Sequence, residues 1–390
     1  MERRIAVAGV GLTKHKAFAV DTTWKEMLCT AVFEALDDAG MAPSEVEGGV
    51  VAFIGEASID TGNIGPLVAD AAGLSPAGLT GTSTACSGGA VALYHAAALV
   101  KSGMCDVALA AGFEKGSELY EYVETICPSS DCDYDYAFGL THLDWLALMS
   151  KRYGEKYRVQ IEALERWVED RHRYARGHPK SFYYGQPMLN REDFKKSLLF
   201  LASARSDGAA AAIVTTEERA KRLPQRPVWL DGLGYASGSA YLPHKFRDGA
   251  AVGSDIADSE LTKVARRRAF SMAGLPDMSS VDLLQISDGA PGVAFMELEA
   301  LGLYGPGQAW KHVLAGDHSP GGRYPTNTRG GSIAFGHASG AAALVNVVES
   351  VHQMRGLAGE RQAPGPLRTA VCQSSGGSQS NNTVVVLRAE

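Results

Sequence analysis

The feature that most constrains this 390-residue chain is a weak internal repetition. Near the start, Ala35-Leu36-Asp37-Asp38-Ala39-Gly40-Met41-Ala42-Pro43-Ser44-Glu45-Val46-Glu47 closes a helix-like run and leads into the apolar stretch from Gly49 to Ile54. Much later, Ala269-Phe270-Ser271-Met272-Ala273-Gly274-Leu275-Pro276 precedes Ser280-Val281-Asp282-Leu283-Leu284-Gln285-Ile286. In both, an Ala-Gly pair stops a helix, because glycine supplies the left-handed conformation that closes the last turn. A turn follows, and an acidic residue sits just before or within a strand. A second echo lies in two βα turns. Cys86-Ser87-Gly88-Gly89-Ala90 opens a helix-like run to about Val100, and His337-Ala338-Ser339-Gly340-Ala341-Ala342 opens another to about Met354. Tandem repetition of this kind predicts two similar halves, 1–225 and 226–390, each bringing one helix start to a shared site.

Strand-like and amphipathic helical runs alternate along the chain, which predicts an α/β fold with mixed sheets covered by helices. The stretch from about Glu114 to Ser203 breaks the pattern with Tyr120-Glu121-Tyr122, Asp133-Tyr134-Asp135-Tyr136 and one long helix-like run from Asp144 to Ala175. It reads as an insertion that lids the active-site face, and such loops carry specificity more often than stability. The chain is 45% hydrophobic with 44 glycines, too apolar for disorder. Its net charge of −7 argues against nucleic-acid or acidic-membrane partners, and the run Arg266-Arg267-Arg268 reads as a solvated helix face. No leader precedes the strand-like Ile5-Ala6-Val7-Ala8, no apolar run is long enough to span a membrane, and the six scattered cysteines fit cytoplasmic usage. Cys127 and Cys132 do not complete a metal site, so no metal is expected in this chain.

Three turns carry the chemistry. Cys86 follows small residues and precedes Ser-Gly-Gly at a helix start, where backbone N–H groups and the helix dipole are expected to favour thiolate over thiol. His337, between Gly336 and Gly340, is placed to take the Cys86 proton and to help hold an acyl oxygen. The turn Cys372-Gln373-Ser374-Ser375-Gly376-Gly377 lies between strand-like runs, where its N–H groups can point at an oxyanion.

At these motifs, and at Ser206-Asp207-Gly208-Ala209-Ala210-Ala211, the chain resembles the thiolase superfamily over essentially its full length. More narrowly it resembles the thiolase-like subunits of bacterial multicomponent C-acyltransferases acting on acetylphloroglucinols. That likeness rests on Phe113-Glu114-Lys115, Cys132-Asp133-Tyr134-Asp135-Tyr136, Gly139-Leu140-Thr141-His142, Tyr184-Gly185-Gln186-Pro187 and Gly336-His337-Ala338-Ser339-Gly340. The resemblance implies a five-layered αβαβα thiolase fold, a homodimer, and Cys86 as acylated nucleophile beside His337 and Ser339. His142 and Tyr122 would meet the acceptor from the insertion, with Asp135, Ser287 and Ile54 as further substrate-binding positions. Backbone N–H groups of Cys86 and Gly377 would form the oxyanion hole. It also implies a ketosynthase-III-like subunit and a small zinc-ribbon/OB-fold protein as partners, with zinc only in the latter. An acyl-CoA or an acylated phenol would be the donor, and no cofactor would be bound covalently.

This sequence departs from the acyltransferase pattern at Ser287, Ile54, Asn381 and Ala342, which argues against phloroglucinol itself as the acceptor. Cys372 stands near the position of a second acid/base cysteine in ordinary thiolases, against the plain alternative of a structural cysteine. The expectation is therefore C-acylation of a phenolic or other electron-rich molecule through an acyl-Cys86 thioester. The alternatives are a thiolase or thiolase-like retro-aldolase acting on a CoA ester, and a non-catalytic scaffold subunit.

Overall fold

The structure is a computed structural model that describes residues 3–59, 61–118, 131–188, 202–246, 255–319 and 321–390. Its elements run β1 (Ile5–Leu12), α1 (Trp24–Ala39), β2 (Gly48–Ala52), α2 (Ile64–Ala71), β3 (Gly78–Thr82), α3 (Gly88–Ser102) and β4 (Val107–Glu114). Then come α4 (His142–Tyr157), α5 (Ile161–Arg176), β5 (Gly208–Thr216), the short α6 (Glu217–Ala220), β6 (Val228–Ser237) and α7 (Glu260–Ala273). The chain closes with β7 (Leu283–Gln285), α8 (Pro291–Ala300), α9 (Ala309–Ala315), α10 (Ala342–Arg355), β8 (Thr369–Gly376) and β9 (Asn381–Ala389).

The strands follow the order β3-β2-β4-β5-β1-β6-β9-β8-β7. The order is a repeat joined edge to edge. In the first half β2 is parallel to β3 and β4, β5 is antiparallel to β4, and β1 is antiparallel to β5. In the second half β7 is parallel to β8, with β9 and then β6 antiparallel beyond it. A parallel bridge from Leu284 to Thr326 puts a short segment where β3 stands in the first half. Only Ala6–Trp229 and Val7–Val228 pair across the junction of β1 and β6. The helix stops repeat as well: Gly40 and Gly274 both take the left-handed conformation, at φ 65° and 60°.

Apolar packing divides the molecule into layers. Val50, Ala110 and Val214 from the first half and Ala370, Val385 and Leu387 from the second bury against α3 and α10 between them. The opposite face of the first half's strands, with Val51, Leu109 and Ile213, packs against α1. Val371, Val384 and Val386 face outward instead, onto α7 and the helices α4, α5 and α8. Alternate residues of β9 thus serve two cores, as the two-residue strand period requires. The result is helix, sheet, paired helices, sheet, helix, the five-layered αβαβα arrangement expected. Strands buried on both faces explain the unbroken apolar composition of Gly208-Ala209-Ala210-Ala211-Ala212-Ile213-Val214.

Among its described residues the insertion differs in its helices from the expected form. Instead of one long helix it holds α4 and α5, parted at Arg158, which closes α4 in the left-handed conformation at φ 52°. Arg267 and Arg268 are exposed on α7, as a solvated helix face requires. No helix among the described residues is long and apolar enough to cross a membrane.

Candidate active site

The site is built where the paired helices begin. Cys86 sits in a tight turn, Ala85–Ser87, between β3 and α3, and the Ser87 hydroxyl donates to the Thr84 carbonyl at 2.7 Å. Ala85 precedes the cysteine at φ 50°, a left-handed conformation costing a non-glycine residue about 1–2 kcal/mol. Two glycines let neighbouring backbone close over this turn. A Cβ on Gly89 would stand 2.7 Å from Leu344 Cβ on α10, and one on Gly376 would stand 2.5 Å from the Thr84 carbonyl oxygen.

His337 is fixed by its backbone. Its N–H donates to Ala204 O at 2.7 Å, and its carbonyl accepts from Ser206 N at 3.3 Å. Upstream, residues Gly331–Phe335 form a wide π-helical turn, whose Ser332 N–H donates to the buried Asp288 carboxylate at 2.6 Å. Buried Arg329 ties the same turn to α10, donating to Gly331 O at 3.1 Å and through Nη2 to Asn346 Oδ1 at 2.9 Å. These contacts carry the imidazole to the thiol: His337 Nε2 lies 3.0 Å from Cys86 Sγ. The Ser339 hydroxyl also hydrogen-bonds the sulfur.

His142 arrives from the insertion as the first residue of α4. Thr141 and Asp144 cap that helix reciprocally: the Thr141 N–H and hydroxyl donate to the Asp144 carboxylate at 2.8 and 2.6 Å, and the Asp144 N–H donates to the Thr141 hydroxyl at 3.3 Å. The imidazole is thereby pinned at the helix mouth. One narrow cavity brings Cys86, His337, His142, Ser287 and Gly377 together, with Ser375 and Gln379 in its wall. The Ser287 hydroxyl accepts from Ser375 N at 2.8 Å, which ties β8 to the strand β7 side of the cavity.

Electrostatics corrects the expected thiolate. Burial pushes the Cys86 thiol up to about 12, against the opposing hydrogen bond from Ser339, and the buried Glu114 carboxylate adds to the rise. Burial lowers His337 to about 3, with His142 and Arg329 reinforcing the shift, and lowers His142 to about 4. At neutral pH the resting pair is a neutral thiol and a neutral imidazole, because at this turn desolvation outweighs the helix dipole. Sγ–H can then donate to Nε2.

Three expected positions fall elsewhere. Cys372 lies in the core between the sheets, its Sγ 3.1 Å from the Ser350 hydroxyl and 3.5 Å from Asn346 O, and does not line the cavity. Side chains alternate along β8, so placing Ser375 in the cavity wall leaves Cys372 directed at α10. The Asp135 carboxylate accepts from Leu242 N at 3.0 Å and so ties the insertion to the segment after β6, outside the cavity. The Ile54 carbonyl accepts from the Ser83 hydroxyl at 2.6 Å, bracing the strand end beside the Cys86 turn without lining the cavity. Tyr122 lies outside the described residues, as does Cys127, while Cys132 is exposed. Among the described residues no cluster of three or more His, Cys, Asp or Glu is arranged to hold a metal ion.

Sequence reasoning missed Gln379 and Glu114. Gln379 lines the cavity at φ 56°, a left-handed glutamine that no local turn signal marks, and its amide donates to Glu297 Oε1 at 3.0 Å. Glu114, within the Phe113-Glu114-Lys115 motif, is fully buried at the end of β4, and burial raises its carboxyl to about 7.

Comparison with known proteins agrees with this architecture. Residues 5–187 match the thiolase N-terminal domain, and residues 250–389 match the thiolase C-terminal domain-like family. The acetyl-CoA acetyltransferase of Methanothermobacter thermautotrophicus is 30% identical over 372 residues, covering 93% of this chain and 94% of that protein. Sterol carrier protein 2 of Gallus gallus is 29% identical, covering 94% of this chain and 69% of that protein. Among solved structures, an Ltp2-ChsH2(DUF35) aldolase superposes with a TM-score of 0.84 at 24% identity, over 99% of this chain and 98% of that one. With both thiolase domains in tandem and a thiolase relative matched along nearly its whole length, this chain belongs to the thiolase superfamily.

Proposed function

We propose that the protein is an acyltransferase that carries its acyl group as a thioester on Cys86 and passes it to a carbon nucleophile. The observation that carries this is the 3.0 Å approach of His337 Nε2 to Cys86 Sγ at the wall of a cavity. In the first step a bond forms between Sγ and the donor's acyl carbon while the Sγ proton moves to His337 Nε2. The donor's sulfur or carbon leaving group departs and takes that proton. The backbone N–H groups of Cys86 and Gly377 are the proposed donors to the oxyanion between these events. In the second step the acceptor carbon attacks the thioester while neutral His142 removes a proton from the acceptor; the bond between the acyl carbon and Sγ breaks, and the departing Cys86 sulfur takes up that proton to restore the thiol.

Acceptor chemistry rests on what surrounds the thioester. Ser375, and not a second cysteine, faces the cavity, so the acid/base partner nearest the acyl group from the lid side is His142. That favours an electron-rich phenol or an enolate as acceptor, activated by deprotonation. A CoA thioester as donor is favoured by similarity to acetyl-CoA acetyltransferases, and on the same ground thiolytic chemistry on a CoA ester is the second reading. A second copy of the chain is the proposed neighbour at β3, whose outer edge is unpaired among the described residues and whose residues are largely exposed. The multicomponent partners, one of them bearing zinc, remain part of the same proposal.

The test is a transfer assay with acetyl-CoA and resorcinol as the phenolic acceptor, comparing wild type with Cys86→Ala and His142→Ala. Loss of transfer in Cys86→Ala, with His142→Ala still acylated but slow to discharge, is the expected result. Transfer that survives in Cys86→Ala would overturn the thioester.

A further inference from the structure

A second, smaller cavity lies behind the wall of the first and shares Met149 and Gln379 with it. It opens at the N-terminus of α7, where Ser259 and Glu260 line it, and Lys245 forms its other side. Lys245 is only 7% exposed, a rare degree of burial for a lysine that no carboxylate pairs. Its ammonium lies 5.5 Å from the centroid of the Trp145 ring, and the described residues supply no hydrogen-bond acceptor or carboxylate in contact with it. The nearest acid that acts on it, Asp135, is already engaged by the Leu242 N–H.

Three carboxylates also line this cavity, and each is in contact with a cation. Asp255 is gripped by Arg152 at 3.1 Å and Lys156 at 3.0 Å. Asp258 and Glu260 share Lys263, at 2.8 and 2.5 Å. That leaves Lys245 as the cation of this wall with no carboxylate in contact among the described residues, and a buried ammonium so placed favours an anion. Burial lowers the Lys245 ammonium to about 8, so it is charged at neutral pH. Gln379 stands between the two cavities with its amide nitrogen held by Glu297, and Met149 beside it has the flexible, unbranched side chain that yields to a passing chain.

We infer that this cavity receives the carboxylate of an acyl chain whose other end is the thioester on Cys86, so that the enzyme selects ω-carboxyacyl donors. The inference rests on the acyl-Cys86 reading above. A carboxylate at Lys245 and a carbonyl at Cys86 fix both ends of the chain, and the Met149–Gln379 partition lies along its middle. Such a site discriminates by charge, because a methyl-ended acyl group leaves the buried ammonium without its partner.

The experiment compares single-turnover labelling of Cys86 by glutaryl-CoA and valeryl-CoA, which differ by a carboxylate in place of a methyl group. Wild type, Lys245→Met and Lys245→Arg are measured, along with the thermal midpoint of each in glutarate and in neutral glutaramide. The expected result is a wild-type preference for glutaryl-CoA that falls at least tenfold in Lys245→Met and is largely kept in Lys245→Arg. Valeryl-CoA labelling should not change. Glutarate, and not glutaramide, should raise the midpoint of the wild type and not that of Lys245→Met. An equal preference in wild type and Lys245→Met, or equal midpoints in glutarate and glutaramide, would overturn the inference. If neither thioester labels Cys86 in the wild type, the acyl-enzyme reading fails, and the midpoint comparison still decides the anion site.

Discussion

Cys86 and Cys372 would be hard to tell apart by proton affinity, since burial pushes both thiols up to about 12. Their surroundings differ. Cys86 has an imidazole nitrogen at 3.0 Å and a cavity in front of it. Cys372 has the Ser350 hydroxyl at 3.1 Å and the Asn346 carbonyl at 3.5 Å, neither of which can keep a proton at neutral pH, and a packed core on every side. A thiol of high proton affinity is thus a nucleophile or a core side chain according to whether a base and a substrate can reach it together. That contrast can be broken at either end.

The largest effect is expected at His337. Replacing it with Ala leaves Cys86 with no base in contact, and stopped-flow acylation should slow by about 10²–10⁴-fold. The variant would make Cys86 resemble Cys372. Acylation at the wild-type rate would show that the thiol needs no base.

The pH dependence of acylation sharpens the same point. With His337 lowered to about 3 and Cys86 raised to about 12, the neutral pair persists between those limits. The acylation rate constant should therefore be flat across roughly pH 5 to 9, falling only on the acid side as His337 gains a proton. A rate that climbs through the ordinary thiol range near pH 8.5 would mean that free thiolate attacks, contrary to the neutral pair.

A smaller effect is expected where the halves meet. Gly89→Ala puts a methyl group within 2.7 Å of Leu344 Cβ and 2.8 Å of its backbone nitrogen. Overpacking of this kind costs about 1–3 kcal/mol, read from urea unfolding, and it should also lower acylation by shifting α3 against α10. Unchanged stability would show that the two helix starts are less tightly joined than their spacing indicates. The smallest effect is expected at Cys372. Cys372→Ser places a hydroxyl beside the Asn346 carbonyl and the Ser350 hydroxyl, with a stability loss of about 1 kcal/mol and no change in acylation. Loss of acylation in that variant would return Cys372 to the mechanism.

Much of this contrast was legible in the sequence, for identifiable reasons. Gly40 and Gly274 announce themselves because only a left-handed residue closes those helices, so the duplication shows through weak similarity. Cys86 and His337 stand out because glycines crowd the backbone around them. His142 is reached only through the resemblance carried by Gly139-Leu140-Thr141-His142, because the helix-like run is read from Asp144 and the Thr141–Asp144 capping pair that starts α4 at His142 emerges in the structure. Cys372 stays open between an acid/base and a structural role in the sequence, because spacing to Gly376-Gly377 says nothing about which face of β8 a side chain takes, and one residue of register decides between cavity and core. Asp135 is used to hold the Leu242 N–H, and the Ile54 carbonyl to hold the Ser83 hydroxyl, contacts between residues far apart in sequence. Gln379 and Lys245 carry no local signal, since their importance comes from which cavity wall the fold gives them. The charge state of Cys86 was misjudged because a helix start is visible in sequence and burial is not.

The most direct test of the account is to trap the protein with an acyl-CoA, digest it, and locate the acyl group by peptide mass spectrometry. An acyl thioester is expected on the peptide holding Cys86 and none on the peptide holding Cys372, with the same pattern in Cys372→Ser. An adduct on Cys372, or acyl transfer with Cys86 unmodified at every time point, would contradict it.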